Sequence, residues 1–264
     1  MVTIPGGGYV IGYEGPEANV GDDEGPVRRI SLPEFQISKT TVTNADFARF
    51  VAATGYVTDA EALGWSFVFA PQMHPEARVF EGADATAPEW WLPVAGASWQ
   101  RPDGPGSTLL SRADHPVVHV SHRDAEAFAA YHGKRLPTEA EWEVAARGGL
   151  DRAIYAWGNA LHPNGIHMCN IWQGRFPDSN TGEDGWLATA PAESFPANGY
   201  GLFNMLGNVW EWTASPWRDD PAIRSMRGGS YLCHASYCNR YRVSARTSNH
   251  VTATSSHLGF RLAG

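Results

Sequence analysis

Apolar runs in this chain are short, and Gly, Pro, Asn or Asp interrupts nearly all of them, as around PVVHV (116–120) and FQIS (35–38). Such a run supports a short strand followed by a turn, because glycine frees and proline fixes the backbone where pairing would have to continue. With 28 glycines, 18 prolines and eleven tryptophans in 264 residues, the chain is expected to form a loop-rich body packed on aromatic side chains. A helical bundle or a regular α/β repeat does not fit. Hydrophobic residues make up 43%, enough for one sizeable core, and no linker or repeat divides it, so one domain over 1–264 is expected. With so much irregular chain, function is expected on loops.

Three segments read as helices. Thr43-Asn44-Ala45-Asp46 opens the first, with Phe47, Phe50 and Val51 on one face and Gly55 beyond its end. Ser121 opens the second, with Asp124 three residues on, then Phe128 and Tyr131, and Gly133 closes it. Thr138-Glu139-Ala140-Glu141 is a capping box, in which hydroxyl and carboxylate satisfy each other's backbone N–H groups. Trp142, Ala145 and Ala146 form its buried stripe before Gly148-Gly149. PVVHV and FQIS read as short strands.

Net charge is −8 and no Lys/Arg run exceeds two residues, which leaves no nucleic-acid footprint. No apolar run approaches the roughly 18–20 residues of a membrane span. MVTIPGGGYVIGY lacks the basic start and apolar stretch of a signal peptide. Three cysteines do not make a disulfide scaffold. The expectation is an acidic cytoplasmic protein without nucleic-acid or membrane partners.

Two of those cysteines, Cys233 and Cys238, lie in GGSYLCHASYCNRYR (228–242). In a strand, residues five apart are roughly 16 Å apart and face opposite sides. In a helix they are about 7.5 Å apart along the axis, with directions differing by roughly 140°. Only a turned loop brings the sulfurs together. The residues then leave open unrelated thiols, a disulfide or a shared metal. Two thiolates alone suit a soft ion such as Cu(I), whereas zinc needs further ligands, of which His234 could be one.

RLPTEAEWEVAARGG (135–149), NGYGLFNMLGNVWEWT (198–213), MRGGSYLCHASYCNRYRVSAR (226–246) and HLGFR (257–261) resemble the formylglycine-generating enzymes, also called sulfatase-modifying factors. The likeness begins with IPGGGYVIG near the N-terminus and runs in order through WWLPVAGASWQRPDGPGST and DHPVVHVSHRDA. It implies an α+β fold poor in regular secondary structure, a variant of the C-type lectin fold. It also implies oxidation by O₂ of a cysteine in a CxPxR motif of a sulfatase polypeptide to Cα-formylglycine, with an external thiol reductant.

The resemblance assigns roles residue by residue. Cys233 and Cys238 would hold Cu(I), and the substrate cysteine would join them. Ser230 would hydrogen-bond in the oxygen pocket beside Trp210, His234 would have a minor part, and Trp90 and Trp91 would lie near the peptide groove. Two structural Ca²⁺ sites are implied, one from Asn170, Ile171, Asp184 and Trp186, the other from Asn204, Gly207, Val209 and Glu211. The family's two further disulfides fall on Ala129, Ala146, Val243 and Leu262 here, which agrees with a reducing cytoplasm. Cys169 is expected to be a bystander. Two departures bear on peptide preference: a short loop between Trp217 and Arg227, and His257 where the pattern has asparagine. A monomer is expected. The competing readings are a non-haem iron sulfoxide synthase, which lacks an evident histidine-rich iron domain here, and a lectin-like binding module, which has no use for paired thiols.

Overall fold

The structure, a computed structural model, describes residues 1–19, 21–83 and 87–264. Its regular elements are short. Strands β1 (Val2–Ile4), β2 (Gly7–Ile11), β3 (Arg28–Leu32) and β4 (Phe35–Ile37) precede helices α1 (Asn44–Thr54) and α2 (Asp59–Leu63). β5 (Trp65–Phe69), β6 (Trp91–Ala95), α3 (His122–Tyr131) and α4 (Glu139–Arg147) come next, then β7 (Gly174–Arg175) and β8 (Ser179–Asn180). The last elements are β9 (Trp210–Trp217), β10 (Asp220–Arg227), β11 (Arg246–His250) and β12 (Leu258–Phe260). They form one four-stranded sheet, ordered β11-β10-β9-β12, and four two-stranded pairs. This is the loop-rich body that the glycine and proline usage calls for, in the α+β class that the resemblance implies.

The three expected helices form for the expected reasons. Thr43 with Asp46, Ser121 with Asp124, and Thr138 with Glu141 each close a reciprocal capping box. Gly55 and Gly148 end α1 and α4 in the left-handed region, where a Cβ would be strained. Phe47, Phe50, Phe128, Trp142, Ala145 and Ala146 all enter the main core.

Three details differ from the sequence reading. Tyr131 ends α3 pointing outward and is 51% exposed. PVVHV is no strand: Pro116 makes a single bridge to Thr43, and His119 takes φ 59°, which breaks the extended run. That conformation buries the His119 ring against Ser66 Oγ (2.7 Å) and Pro102 O (2.8 Å). The third is α2, opened by a fourth capping box of Thr58 and Glu61; at five residues it shows too little periodicity to be read from sequence.

The central sheet sets out the functional region. β12 lies parallel to β9, with Leu258 opposite Trp210, and Trp210 N–H donates to His257 O (2.9 Å). Arg261 locks this pairing from behind: its fully buried guanidinium meets both oxygens of Glu211 at 2.6 and 2.7 Å. β9 and β10 are joined through Arg218 and Asp219 alone, both at positive φ, a two-residue turn suited to the strands' twist. That turn is why the 217–227 segment is short. Arg227 of β10 pairs with Arg246 of β11, so the cysteine segment 228–245 leaves and returns at one point of the sheet.

Candidate active site

Gly228 and Gly229, at φ 96° and 76°, swing the chain off the end of β10. A Cβ on Gly228 would come within 2.9 Å of Met205 O, and one on Gly229 within 3.1 Å of Arg240 O, so only glycine fits both bends. Two turns then fold the segment back. Cys233 N–H donates to Ser230 O (2.9 Å), and Cys238 N–H donates to His234 O (2.6 Å), an i to i+4 turn. This is the turned loop that the spacing of the two cysteines demands.

The two thiols meet. Both cysteines are free and buried, line the same pocket, and lie close enough for each to shift the other's thiol. Burial pushes the Cys233 thiol well up, and its neighbour Cys238 adds to that. Cys238 moves the other way: the hydrogen bond from Cys233 holds its thiol below the ordinary value against the cost of burial, with Arg240 also contributing. The pair is thus asymmetric, with the negative charge favoured on Cys238.

A small pocket opens beside the sulfurs. Its walls include Trp210, Ser230, Trp90, Trp91 and His257. The cavity is small, about 20 Å³, room for one water-sized molecule. Ser230 Oγ lies 3.3 Å from His257 Nδ1, and the imidazole packs edge-on against Trp91 at 4.5 Å between ring centres. Burial drives the His257 imidazole down to about 3, with the nearby His119 adding to the effect, so the ring is neutral at pH 7. Trp90 packs at 5.3 Å on both Phe176 and Tyr237, which stack on each other at 4.5 Å.

The structure thus brings Cys233, Cys238, Ser230, Trp210, Trp90 and Trp91 to one pocket. It leaves His234 out: that ring turns to Ser236 Oγ (2.8 Å) on the exposed side of the loop. Cys169 lies in the main core and does not line the pocket, its thiol pushed far up by burial. Ala129, Ala146 and Val243 are buried apolar side chains. Sequence reasoning passed over Phe176, Tyr237 and Leu232 as pocket walls. Phe176 carries no motif, and only the long-range packing of residues 172–176 under Trp90 brings it in.

The two groups of oxygen donors also assemble. Asp184 accepts from the N–H groups of Ile171 (3.0 Å) and Trp186 (2.9 Å), and burial raises its carboxyl above the ordinary value. Asn170 Oδ1 and Asn204 Oδ1 are buried and lack a hydrogen-bond partner. Asn170 O closely approaches Gly207, where a Cβ would sit 2.3 Å from it, so the two groups share a wall. Glu211 belongs to the second group with its carboxylate already shared between Arg261 and Trp142 Nε1 (2.7 Å). Among the described residues, no three His, Cys, Asp or Glu side chains cluster as a metal site. Any calcium here would rest largely on amide and backbone oxygens.

A loop-rich α+β scaffold with two free thiols lining one aromatic pocket suits a sulfatase-modifying-factor type of domain. The family described as "Sulfatase-modifying factor enzyme 1-like domain" matches residues 1–264. The "Formylglycine-generating enzyme" of Thermomonospora curvata is 54% identical, covering 100% of this chain and 92% of its own length. Among solved structures, PvdO from Pseudomonas aeruginosa superposes with a TM-score of 0.71 over 99% of this chain and 92% of its own, at 22% identity, which speaks for the fold alone. The chain belongs to the formylglycine-generating enzyme family. An "Inactive C-alpha-formylglycine-generating enzyme 2" from Bos taurus is also 45% identical, over 100% of this chain and 87% of its own. Activity therefore has to be argued from the pocket.

Proposed function

We propose that this protein oxidises a cysteine in a CxPxR segment of a sulfatase to Cα-formylglycine with O₂, at a Cu(I) held by Cys233 and Cys238. The observation that carries this reading is the pair of free, buried, mutually perturbing thiols lining one small aromatic-walled pocket. Two soft thiolate donors without a nearby carboxylate fit Cu(I) better than a hard cation. Bound there, Cu(I) would supply the one-electron chemistry that lets O₂ react with a thiol.

The chain's own side chains do the rest. Cys238 carries the negative charge of the pair most readily, and Cys233 donates to it. Ser230 presents a hydroxyl to the pocket, oriented by a neutral His257 that does not compete for protons at pH 7. Trp210, Trp91 and Leu232 exclude bulk water, which strengthens each electrostatic contact inside. Over the reaction, R–CH₂–SH with O₂, two electrons and two protons gives R–CHO, H₂S and H₂O, so two electrons must come from an external thiol reductant.

Calcium is proposed as a structural ion at both oxygen groups, where it would give the orphaned Oδ1 atoms of Asn170 and Asn204 a partner. The protein is further proposed to act as a cytoplasmic monomer. No helix among the described residues is long and apolar enough to cross a membrane.

The test is incubation with Cu(I), O₂, a thiol reductant and a CTPSR-type peptide, read by mass spectrometry for loss of H₂S and gain of O. Absence of conversion by copper-loaded protein refutes the reading.

A further inference from the structure

Two residues beyond Cys238, the Arg240 guanidinium lies beside the thiol, helping to hold it below its ordinary value, and is itself gripped by Asp22. Nε meets Asp22 Oδ2 at 2.6 Å and an Nη meets Oδ1 at 3.1 Å, a two-point clamp with both side chains largely buried. The clamp belongs to a longer seam. Asn239 Nδ2 donates to Glu17 O (3.1 Å), and Arg242 grips both oxygens of Glu24 at 2.6 Å. The N-terminal segment is thereby laid along residues 239–242, with Arg240 as the member of the seam that reaches the thiols.

A site of two thiolates and one monovalent cation carries net charge −1, and a third thiolate from substrate would make it −2. The walls beside the sulfurs are mainly Trp, Phe, Tyr and Leu, which offer no compensating charge. A buried anion in such surroundings is costly unless a cation pairs with it. Arg240 suits the task because its planar fork can bond a carboxylate on one edge and a sulfur on another.

We propose that Arg240, aimed by Asp22, is a positioning residue of the two-cysteine site, fixing the sulfur of Cys238 and supplying the counter-charge for a metal held by the pair. The proposal rests on the reading that Cys233 and Cys238 hold Cu(I). It adds an outer layer to that site drawn from a segment more than 200 positions away in sequence.

The test measures Cu(I) affinity by competition with a chelator, together with the near-ultraviolet thiolate-to-copper absorption, melting temperature and peptide conversion. Variants are Arg240→Gln, Arg240→Lys and Asp22→Asn. Losing a charge-assisted contact to a thiolate should weaken Cu(I) binding about tenfold or more in Arg240→Gln. Arg240→Lys should recover part of that affinity with a shifted absorption band, since it keeps the charge and loses the fork. Asp22→Asn should fall between. A merely structural role would lower the melting temperature and leave the affinity and absorption of the folded protein unchanged.

A folded Arg240→Gln protein with wild-type Cu(I) affinity overturns the proposal. If that variant does not fold, Asp22→Asn decides, and unchanged affinity and absorption there overturn it equally. Wild-type protein that binds Cu(I) but leaves the peptide intact refutes the activity, while the affinity series still judges Arg240. Conversion by wild type with an unaffected Arg240→Gln affinity refutes Arg240 alone, and wild type that binds no Cu(I) refutes both.

Discussion

Glu24→Gln should unfold this protein about 10 °C earlier, because it strands a buried guanidinium. Arg242 is 1% exposed and spends two N–H groups on Glu24, which is 4% exposed and also accepts from Ser244 Oγ (3.0 Å) and Asn19 N–H (2.9 Å). Removing one partner of such a pair typically costs about 3–5 kcal/mol, since the remaining charge stays desolvated. In a chain of this size each kcal/mol lowers the melting temperature by roughly 2–4 °C. The control is Glu24→Gln with Arg242→Met, which removes both charges and should recover much of the loss. Burial pushes the Glu24 carboxyl up, but Arg242, Asn19 and Ser244 outweigh it and hold it below its usual value. The stabilisation is then complete above the unfolded carboxyl's pKa of 4.5 and fades as pH falls through the lower folded value. Thermal melts by near-ultraviolet circular dichroism at pH 7 and pH 4 measure both effects. A single variant melting within 2 °C of wild type, or a double variant no better than the single, would refute the reasoning.

Other outcomes are expected. Cys233→Ser should abolish tight Cu(I) binding and peptide conversion while changing the melting temperature little, as followed by copper titration and mass spectrometry. Calcium removal by a chelator should lower the melting temperature by several degrees, and added Ca²⁺ but not Mg²⁺ should restore it, because the sites offer flexible carbonyl oxygens. Stability should fall as pH drops below 6.5, since burial depresses buried His119 to about 4 and unfolded histidine takes up the proton first. Near pH 5 that one group costs about 2 kcal/mol, and His119→Gln should flatten the slope of urea midpoint against pH.

Local chemistry was readable from sequence and distant meetings were not. Thr43, Ser121 and Thr138 each state a helix start within four residues, and each starts one. The five-residue spacing of Cys233 and Cys238 already required a turn, which Gly228 and Gly229 begin. Where reading failed, a long-range contact had overruled a local pattern. PVVHV has the composition of a strand, but the bonds of His119 to Ser66 and Pro102 bend it out of one. Nothing near Phe176 or Asp22 in the chain says that they share a neighbourhood with the cysteines. The family resemblance supplied Ser230 and Trp210, which spacing alone leaves as a turn serine and a core tryptophan.

The pairing of Arg227 with Arg246 has an evolutionary consequence. The thiol-bearing segment between them is an excursion whose two ends meet on one rung of the sheet. A change of length at its exposed turn, Ala235-Ser236, need not shift the register of β10 on β11, whereas Tyr241, Arg242 and Val243 fasten the returning leg in the core. Relatives are therefore expected to vary in length at that turn and to keep the fastened leg, which an alignment of the segment checks.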